Sequence, residues 1–456
     1  MHIHILGIGG TFMSALAILA KQKGYRVTGQ DTACYPPISD VLKAHQIDYV
    51  EAYDDISDML AADEVIVGNA MKRGLPVVEA LLNSKQPYTS GPEWLAREVL
   101  THYKVLAVCG THGKTSTSTM IAYILEQAGM HPSYLIGGVP QVLPSSAHMD
   151  QGEWFVIEAD EYDTAFFDKR PKFMHYRPQG VVMHNLEFDH ADIYDSLASI
   201  QKQFHYLLRT VPQNGWVVRP QYETGIDGAM ALGVYSPVIS WGTDSHVDVQ
   251  FSIDAPDGSA FRVKTPEGEV AVKWSLMGMH NVKNALAAMI ACKQLGVDYQ
   301  DSAAILAHFQ PVKRRLELCF SHQGLCVYDD FAHHPTAIRC ASEAVASSKK
   351  HPRLLAVLEF GSNSMRGGHH LAHMGEALQS IDDLYVLKAK DFDIEAQAQH
   401  WPCRVQVFAT VDDLIAKMIG DLRPDDAILM MSNKGFDELK PKLLAKLHDF
   451  RKVLPG

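Results

Sequence analysis

The stretch KVLAVCGTHGKTSTSTMIAYIL, residues 104–125, decides how this chain folds. Lys104 to Val108 is an apolar run of strand length, and Gly110-Thr111-His112-Gly113 is a glycine turn. Lys114-Thr115-Ser116 then opens a helix whose buried face is Met120, Ile121, Ile124, Leu125 and Ala128. Strand, glycine loop and helix N-terminus in that order make a cradle for phosphates. Backbone N–H groups and the helix dipole face the anion, the Lys114 ammonium neutralises charge, and the Thr115 hydroxyl is a ligand for Mg²⁺. The usual nucleotide loop has a glycine where this chain has Val108, so an ordinary glycine turn before a helix is the alternative. The strand–loop–helix context favours a nucleotide triphosphate.

Downstream, two more apolar strands end in polar clusters. Trp154 to Ile157 runs into Glu158-Ala159-Asp160-Glu161, and Val181 to Met183 into His184-Asn185-Leu186-Glu187-Phe188-Asp189-His190. Ligands of open α/β sheets collect outside the carboxyl ends of the strands. A phosphate loop, a carboxylate cluster and a histidine on three successive strands therefore suggest one site. Thr115 and Glu158 are candidates to hold one Mg²⁺, with His190 assisting a second. Taken singly, an acidic run is more often a solvated face and a lone histidine more often structural.

Upstream, residues 1–98 alternate short strands (His2 to Leu6, Tyr25 to Thr28, Val65 to Val67) with amphipathic helices such as Met13 to Gln22. That order predicts parallel strands with crossover helices. Gly7-Ile8-Gly9-Gly10 closes the first strand, and Asp31 follows the second. The pair suits a nucleotide diphosphate whose ribose or base meets an acidic group. The third glycine of a dinucleotide fingerprint would fall at Phe12, whose bulk argues against NAD.

Within the second segment, 99–313, residues 238–275 change to alternating Val, Phe, Ile and Trp broken by PDG and PEGE turns, which predicts an antiparallel β insert. The third segment, 314–456, has strands at 325–328, 354–358, 384–387 and 427–431 with helices between, a further α/β unit. The expected fold is thus α/β in three domains: a Rossmann-like N-terminal domain, a central P-loop ATPase-type domain with a β insert, and a Rossmann-like C-terminal domain.

The 456 residues carry a formal net charge of −12, which argues against a general nucleic-acid or membrane-surface binder. Seven cysteines without a C-x-x-C pair fit reduced thiols. The N-terminus MHIHILGIGG has no signal-peptide pattern, and no apolar run approaches the ~18 residues of a membrane span. The expected location is the cytoplasm.

GIGGTFMS, GTHGKTST, EADEYD, EFDHADIYD, GMHNVKNA, KRRLE and YDDFAHHP occur here in an order that resembles the Mur ligases of peptidoglycan synthesis, over almost the whole chain. The resemblance implies an ATP- and Mg²⁺-dependent amide ligase acting on the carboxylate of UDP-N-acetylmuramate through an acyl phosphate. VTGQDTACYPP, IVGNAMKRG, EADEYDTAFFDKRPKF and MMSNKGF are similar to the members that attach the tripeptide L-alanyl-γ-D-glutamyl-meso-diaminopimelate in peptidoglycan recycling. Members that add L-alanine are the alternative. A nicotinamide-dependent oxidoreductase and a non-catalytic sensor of cell-wall nucleotides are readings of other classes.

The resemblance also implies site residues. Gly7, Gly9, Gly10, Asp31 and Asn69 would bind the UDP-sugar, and Gly110 to Ser116 the ATP phosphates. His280, Asn281 and Asn284 would lie near the adenine. Arg315 would reach the phosphates and Asp330 the nucleotide ribose. Lys114, Glu158, His190 and Arg315 form the catalytic set. His333, His334, Asn363, Arg366, Asn433 and Lys434 are the peptide-site candidates, with Lys388 and Lys390 as further cations and His333 or His334 as the base. Two departures bear on the peptide site: Phe360-Gly361 stands where the family has Pro-Arg, and Arg366 where it has lysine. Some members carry a carbamylated lysine at the position of His205, near Lys202, so that modification is not expected here. Partners are expected to be small substrates, with no nucleic acid or membrane and a monomer or weak homo-oligomer.

Overall fold

The computed structural model describes residues 1–189, 193–361, 365, 371–388 and 394–450. Among them, three large sheets follow one another along the chain, with a small two-stranded sheet between strands of the second. The first has strands β1 (His2–Leu6), β2 (Arg26–Gln30), β3 (Asp48–Val50), β4 (Glu64–Val67) and β5 (Tyr88–Ser90) in the order β3-β2-β1-β4-β5, all parallel. Every residue of β1 and β4 is buried; β4 reads as an apolar run after Glu64, whereas β1 alternates, its His2 and His4 rings buried against Thr28 and Gln30 of β2. The chain reverses winding between β1 and β4, so the crevice at their carboxyl ends lies beside the Gly7–Gly10 turn.

The second sheet is built from β6 (Lys104–Cys109), β7 (Ser133–Leu135), β8 (Ala147–His148) and β9 (Trp154–Ala159), then, after a hairpin of β10 (Asp163–Ala165) and β11 (Asp168–Pro171), from β12 (Gly180–Met183) and β13 (Trp216–Pro220). It continues through β14 (Val238–Gly242), β15 (Val249–Ile253), β16 (Ala260–Thr265) and β17 (Gly268–Lys273). The order is β17-β16-β15-β14-β13-β12-β6-β9-β7-β8. Strands β15 to β17 are antiparallel, as the two turns predict. They are not a separate insert, however. β14 pairs parallel with both β13 and β15, so the segment extends the central sheet. Alternating apolar residues mark a half-buried strand without revealing its direction.

The third sheet has β18 (Glu317–His322), β19 (Leu325–Asp330), β20 (Leu354–Leu358), β21 (Asp383–Leu387), β22 (Arg404–Phe408) and β23 (Ala427–Met431) in the order β18-β19-β23-β20-β21-β22. The two edge strands, β18 and β22, lie outside the sequence expectation because little of either is buried. The four inner strands match it to within two residues.

Packing sets these sheets against one another. The helix Thr11–Gln22 buries Ala15 to Ala20 in one continuous cluster with Val105 and Phe155 of the second sheet. The hairpin β10–β11 carries Phe167 to Tyr88, ring centroids 5.2 Å apart. The helix Met279–Gln294 lays Ala285, Ala287, Ala288 and Ala291, all fully buried, into the cluster that holds Met120, Ile121 and Leu125 of the helix Lys114–Gln127. Small side chains there bring the two backbones close. Each fully buried leucine or isoleucine contributes about 1.5–3 kcal/mol. All seven cysteines are free, and no helix among the described residues is long and apolar enough to cross a membrane.

Candidate active site

The phosphate loop sits at the carboxyl end of β6, and its backbone dictates its glycines. Gly110 has φ +126° and Gly113 φ +89°, conformations that L side chains rarely adopt. A Cβ on Gly113 would also stand 2.6 Å from Asn284 Oδ1, and one on Gly110 2.8 Å from Asn185 O. β6 runs on to Cys109 with Val108 fully buried, so the loop begins at Gly110 and needs no glycine at 108.

Lys114 Nζ donates to Gly110 O at 2.8 Å and to Glu161 Oε2 at 3.1 Å, and lies 3.7 Å from Asp160 Oδ1. Burial alone would lower the ammonium's pKa, but Glu161 and Asp160 outweigh it and hold Lys114 charged, above its usual range. Asn185, at the end of β12, grips the loop from the other side. Its carbonyl accepts from Thr111 N at 3.0 Å, its Oδ1 accepts from His112 N at 2.8 Å, and its Nδ2 donates to His112 O at 3.3 Å. Glu187 N donates to Thr111 Oγ1 at 2.9 Å.

β9, beside β6, carries Glu158 to the same place. Thr115 Oγ1 lies 3.3 Å from Glu158 Oε2, while Glu158 Oε1 accepts from Gly137 N at 2.7 Å. Burial raises the pKa of this carboxyl; the Gly137 amide and the charges of Lys114 and Arg315 oppose it. A buried carboxylate next to a hydroxyl is an all-oxygen donor pair, which fits Mg²⁺. His190 lies outside the described residues. From across the junction, Arg315 Nη2 donates to Thr115 Oγ1 at 3.2 Å, with its guanidinium 5.0 Å from the centroid of Phe331.

In the first sheet, Gly7, Gly9 and Gly10 end β1, Asp31 ends β2, and Asn69 stands exposed after β4. Asp31 is bound within the turn: Oδ2 accepts from Gly9 N at 2.9 Å, and Oδ1 from Thr32 N at 2.7 Å. It shapes the glycine turn and does not project freely toward a ribose. Phe12 also acquires a role. Its ring lies 5.4 Å from Nζ of Lys172, a buried cation that donates to Asp160 Oδ2 at 2.9 Å and is 5.5 Å from the Tyr162 ring. The glycine turn is thereby linked through Lys172 and Asp160 to Lys114.

Asn284 is buried against the phosphate loop, and Ser116 is buried in the first turn after it. Asn281 donates to Met277 O at 2.8 Å, which fixes the helix start. His280 Nδ1 is buried with no hydrogen-bond partner among the described residues, and burial brings its pKa down to about 4. Asp330 is buried with both oxygens occupied, by Leu316 N and Ala332 N at 2.7 Å each, and burial pushes it up to about 6. Its observed partners are therefore the junction backbone. Arg314 and Leu316 flank Arg315 with φ +61° and +50°, a strained backbone for non-glycine residues.

His333 donates from Nδ1 to Phe331 O at 2.9 Å, and burial lowers its pKa. His334 caps the helix Pro335–Ser347 and faces Glu187, with Nδ1 and Oε2 3.6 Å apart. Asn433 and Lys434 follow β23 and pack against Gly361, and Lys388 is exposed after β21. Asn363, Arg366 and Lys390 lie outside the described residues. His205 is buried and 3.2 Å from Gly233 O, a structural position. The sequence places Glu161, Asn185 and Glu187 in strand-end clusters without giving any of them a role, and it gives none to Lys172. All four lie in quoted motifs, but only the chain's crossovers bring them to the loop.

Comparison with known proteins gives concordant matches. Models of the Mur ligase family catalytic domain, the Mur ligase middle domain and the Mur ligase glutamate ligase domain match residues 2–103, 108–292 and 314–434. The UDP-N-acetylmuramate–L-alanyl-γ-D-glutamyl-meso-2,6-diaminoheptandioate ligase of Escherichia coli is 44% identical over 454 residues, covering 97% of this chain and 98% of its own. The Haemophilus influenzae ligase of the same name is 43% identical over 450 residues, covering 98% and 99%. The crystal structure of a murein peptide ligase from Psychrobacter arcticus superposes with a TM-score of 0.77 at 39% identity, covering 98% of each chain.

Proposed function

The chain belongs to the Mur ligase family, and from that premise we propose that it joins the amine of L-alanyl-γ-D-glutamyl-meso-diaminopimelate to the carboxylate of UDP-N-acetylmuramate, converting ATP to ADP and phosphate. The observation that carries this reading is the convergence on Thr115 of Glu158 from one sheet and Arg315 from the next, beside Lys114. Such a constellation suits phosphoryl transfer, where catalysis is positioning plus charge stabilisation.

A carboxylate has no adequate leaving group for amide formation. Its oxygen attacks the γ-phosphorus of ATP, ADP departs, and the acyl phosphate that results is a competent acyl donor. Lys114 and Arg315 stabilise the charge on the transferring phosphoryl group. Bound Mg²⁺, held by Thr115 and Glu158, would supply further charge neutralisation there. The peptide's neutral amine next attacks the acyl carbon, phosphate leaves, and the amine's proton passes to a base. His333 suits that part: its Nδ1 proton is committed to Phe331 O, which leaves the Nε2 lone pair to accept. Packing the third domain over the loop excludes the water that would hydrolyse the acyl phosphate.

In this proposal residues 1–98 hold the UDP-sugar through the glycine turn, 99–313 hold ATP, and 314–456 hold the peptide. The reaction runs in the cytoplasm without nucleic-acid or membrane partners, in a monomer or weak homo-oligomer. The deciding experiment supplies UDP-N-acetylmuramate, ATP and Mg²⁺ with either the tripeptide or L-alanine and follows ADP release. Faster release with the tripeptide is expected. Equal or faster release with L-alanine overturns the substrate assignment, and no release with either overturns the ligase reading.

A further inference from the structure

Behind the phosphate loop, at the junction of the second and third domains, three side chains from distant parts of the chain meet. His112 comes from the loop itself, Glu187 from the segment after β12, and His334 from the start of the helix Pro335–Ser347. His112 Nε2 lies 3.5 Å and His334 Nδ1 3.6 Å from the same oxygen, Glu187 Oε2. All three donor atoms lie within 4.8 Å of one another, and the two imidazole centroids are 5.0 Å apart. In a tetrahedral shell with metal–ligand bonds of about 2.0–2.1 Å, neighbouring donors are about 3.3 Å apart. Two edges of that tetrahedron are therefore already in place.

The surroundings hold the donors where they are. Thr336 Oγ1 donates to Glu187 Oε2 at 2.6 Å, and Thr336 N donates to His334 Nδ1 at 3.4 Å, a long capping bond that an ion on that lone pair would replace; Asn185 fixes the His112 backbone from both sides, and Thr111 fixes the Glu187 amide. Outer contacts of this kind orient metal ligands. The His112 Nε2 atom is itself buried, and its one polar neighbour is Glu187 Oε2, at the long separation of 3.5 Å that leaves it short of a well-formed hydrogen bond. A cavity of about 260 Å³ opens alongside, lined by Glu187, His334, Thr336, Arg339 and His373, with room for an ion to enter and for water at a fourth corner. Two imidazoles and one carboxylate are a donor set for zinc, whereas Mg²⁺ prefers oxygens alone.

We propose that His112, Glu187 and His334 bind a zinc-class divalent ion, with a water as fourth ligand, at a site separate from Thr115 and Glu158. The ion fastens the phosphate loop to the third domain, so its occupancy holds the two domains together. This inference does not rest on the ligase reading.

The test titrates Co²⁺ into the nucleotide-free full chain and reads the visible spectrum. One equivalent should give the intense band of four-coordinate cobalt. Zn²⁺ should displace it one for one, and a large excess of Mg²⁺ should not. H112Q and H334Q, one in each domain, should each weaken binding at least tenfold. E158Q and H131Q, the latter at the surface trio Glu126, His131 and Asp150, should leave the band intact. Thermal melting gives a second readout: Zn²⁺ should raise the midpoint of wild type by several degrees and not that of E187Q, whose zinc-free midpoint serves as the folding control. A pale octahedral spectrum, a band removed by H131Q, or Co²⁺ affinity unchanged in both H112Q and H334Q would overturn the proposal.

Discussion

The guanidinium of Arg315 donates to the hydroxyl of Thr115, 3.2 Å away, from the opposite side of the junction between the second and third sheets. It is aimed by the Phe331 ring on which it lies and by a backbone held in unusual conformations at both neighbours. Lysine offers neither the flat face nor the fork. R315K is therefore expected to lower kcat by roughly 10²–10³-fold, with the affinity for UDP-N-acetylmuramate unchanged by calorimetry. A variant within a factor of three of wild type would remove Arg315 from the transition state.

Lys114 is the charge at the mouth of the helix, so K114A should abolish ATP turnover, a loss of more than about 10³-fold. UDP-sugar binding, at the first sheet, should stay within about twofold. Steady-state ADP release beside calorimetry checks both halves. Persistent turnover would mean the phosphates bind elsewhere.

Glu158 and Thr115 are the oxygen donors proposed for magnesium. E158Q keeps the shape and removes the charge, so the Mg²⁺ concentration for half-maximal rate should rise at least tenfold, or activity should vanish. An unaltered magnesium titration curve would place the ion elsewhere.

Asn185 touches no reacting atom in the proposed scheme, yet its side chain makes two of the bonds that shape the loop. Each buried partner left unsatisfied costs about 1–3 kcal/mol. N185A should raise the KM for ATP by roughly tenfold or more with a smaller change in kcat, seen in initial rates over an ATP series. An unchanged KM would show that the loop holds its shape without it.

Asp168 in the hairpin is held down to about 2 by the hydrogen-bonded Arg170 guanidinium, 2.7 Å away, against the effect of burial. A depressed carboxyl pKa stabilises the fold above the unfolded value of about 3.8 and loses that contribution as pH falls toward 2. Because Arg170 is largely exposed, about 1 kcal/mol at neutral pH is expected. Denaturant melts of D168N should show that loss at pH 7 and little of it at about pH 1.5, below the folded value. An equal loss at both would point to packing instead of charge.

Much of this architecture is legible in the amino-acid sequence. The four inner strands of the third sheet and β4, β6, β9 and β12 read clearly because strands buried on both faces carry continuous apolar runs, with their charged residues confined to the strand ends. Gly110, Gly113 and Lys114 announce their loop because few other residues suit those conformations beside a helix N-terminus. What a carboxylate faces is another matter. Asp31 and Asp330 look like ligand residues in the sequence, and in the fold both accept from backbone amides. Asn185 is 73 positions from His112, and only the parallel register of β12 on β6, Met183 opposite Cys109, brings the two together. The direction of β14 was equally hidden, because alternation is the same read either way.

The pairing of Lys114 with Glu161 and Asp160 has a consequence for selectivity. An ammonium that already has carboxylate neighbours offers little to a stray chloride, acetate or single phosphate. Entry requires a guest carrying several negative charges at once, accompanied by its own divalent cation to quiet the two displaced acids. On the proposed assignment the loop would act as a threshold device: weak anions would leave it undisturbed, and a metal-bound triphosphate would exchange one complete set of counter-charges for another.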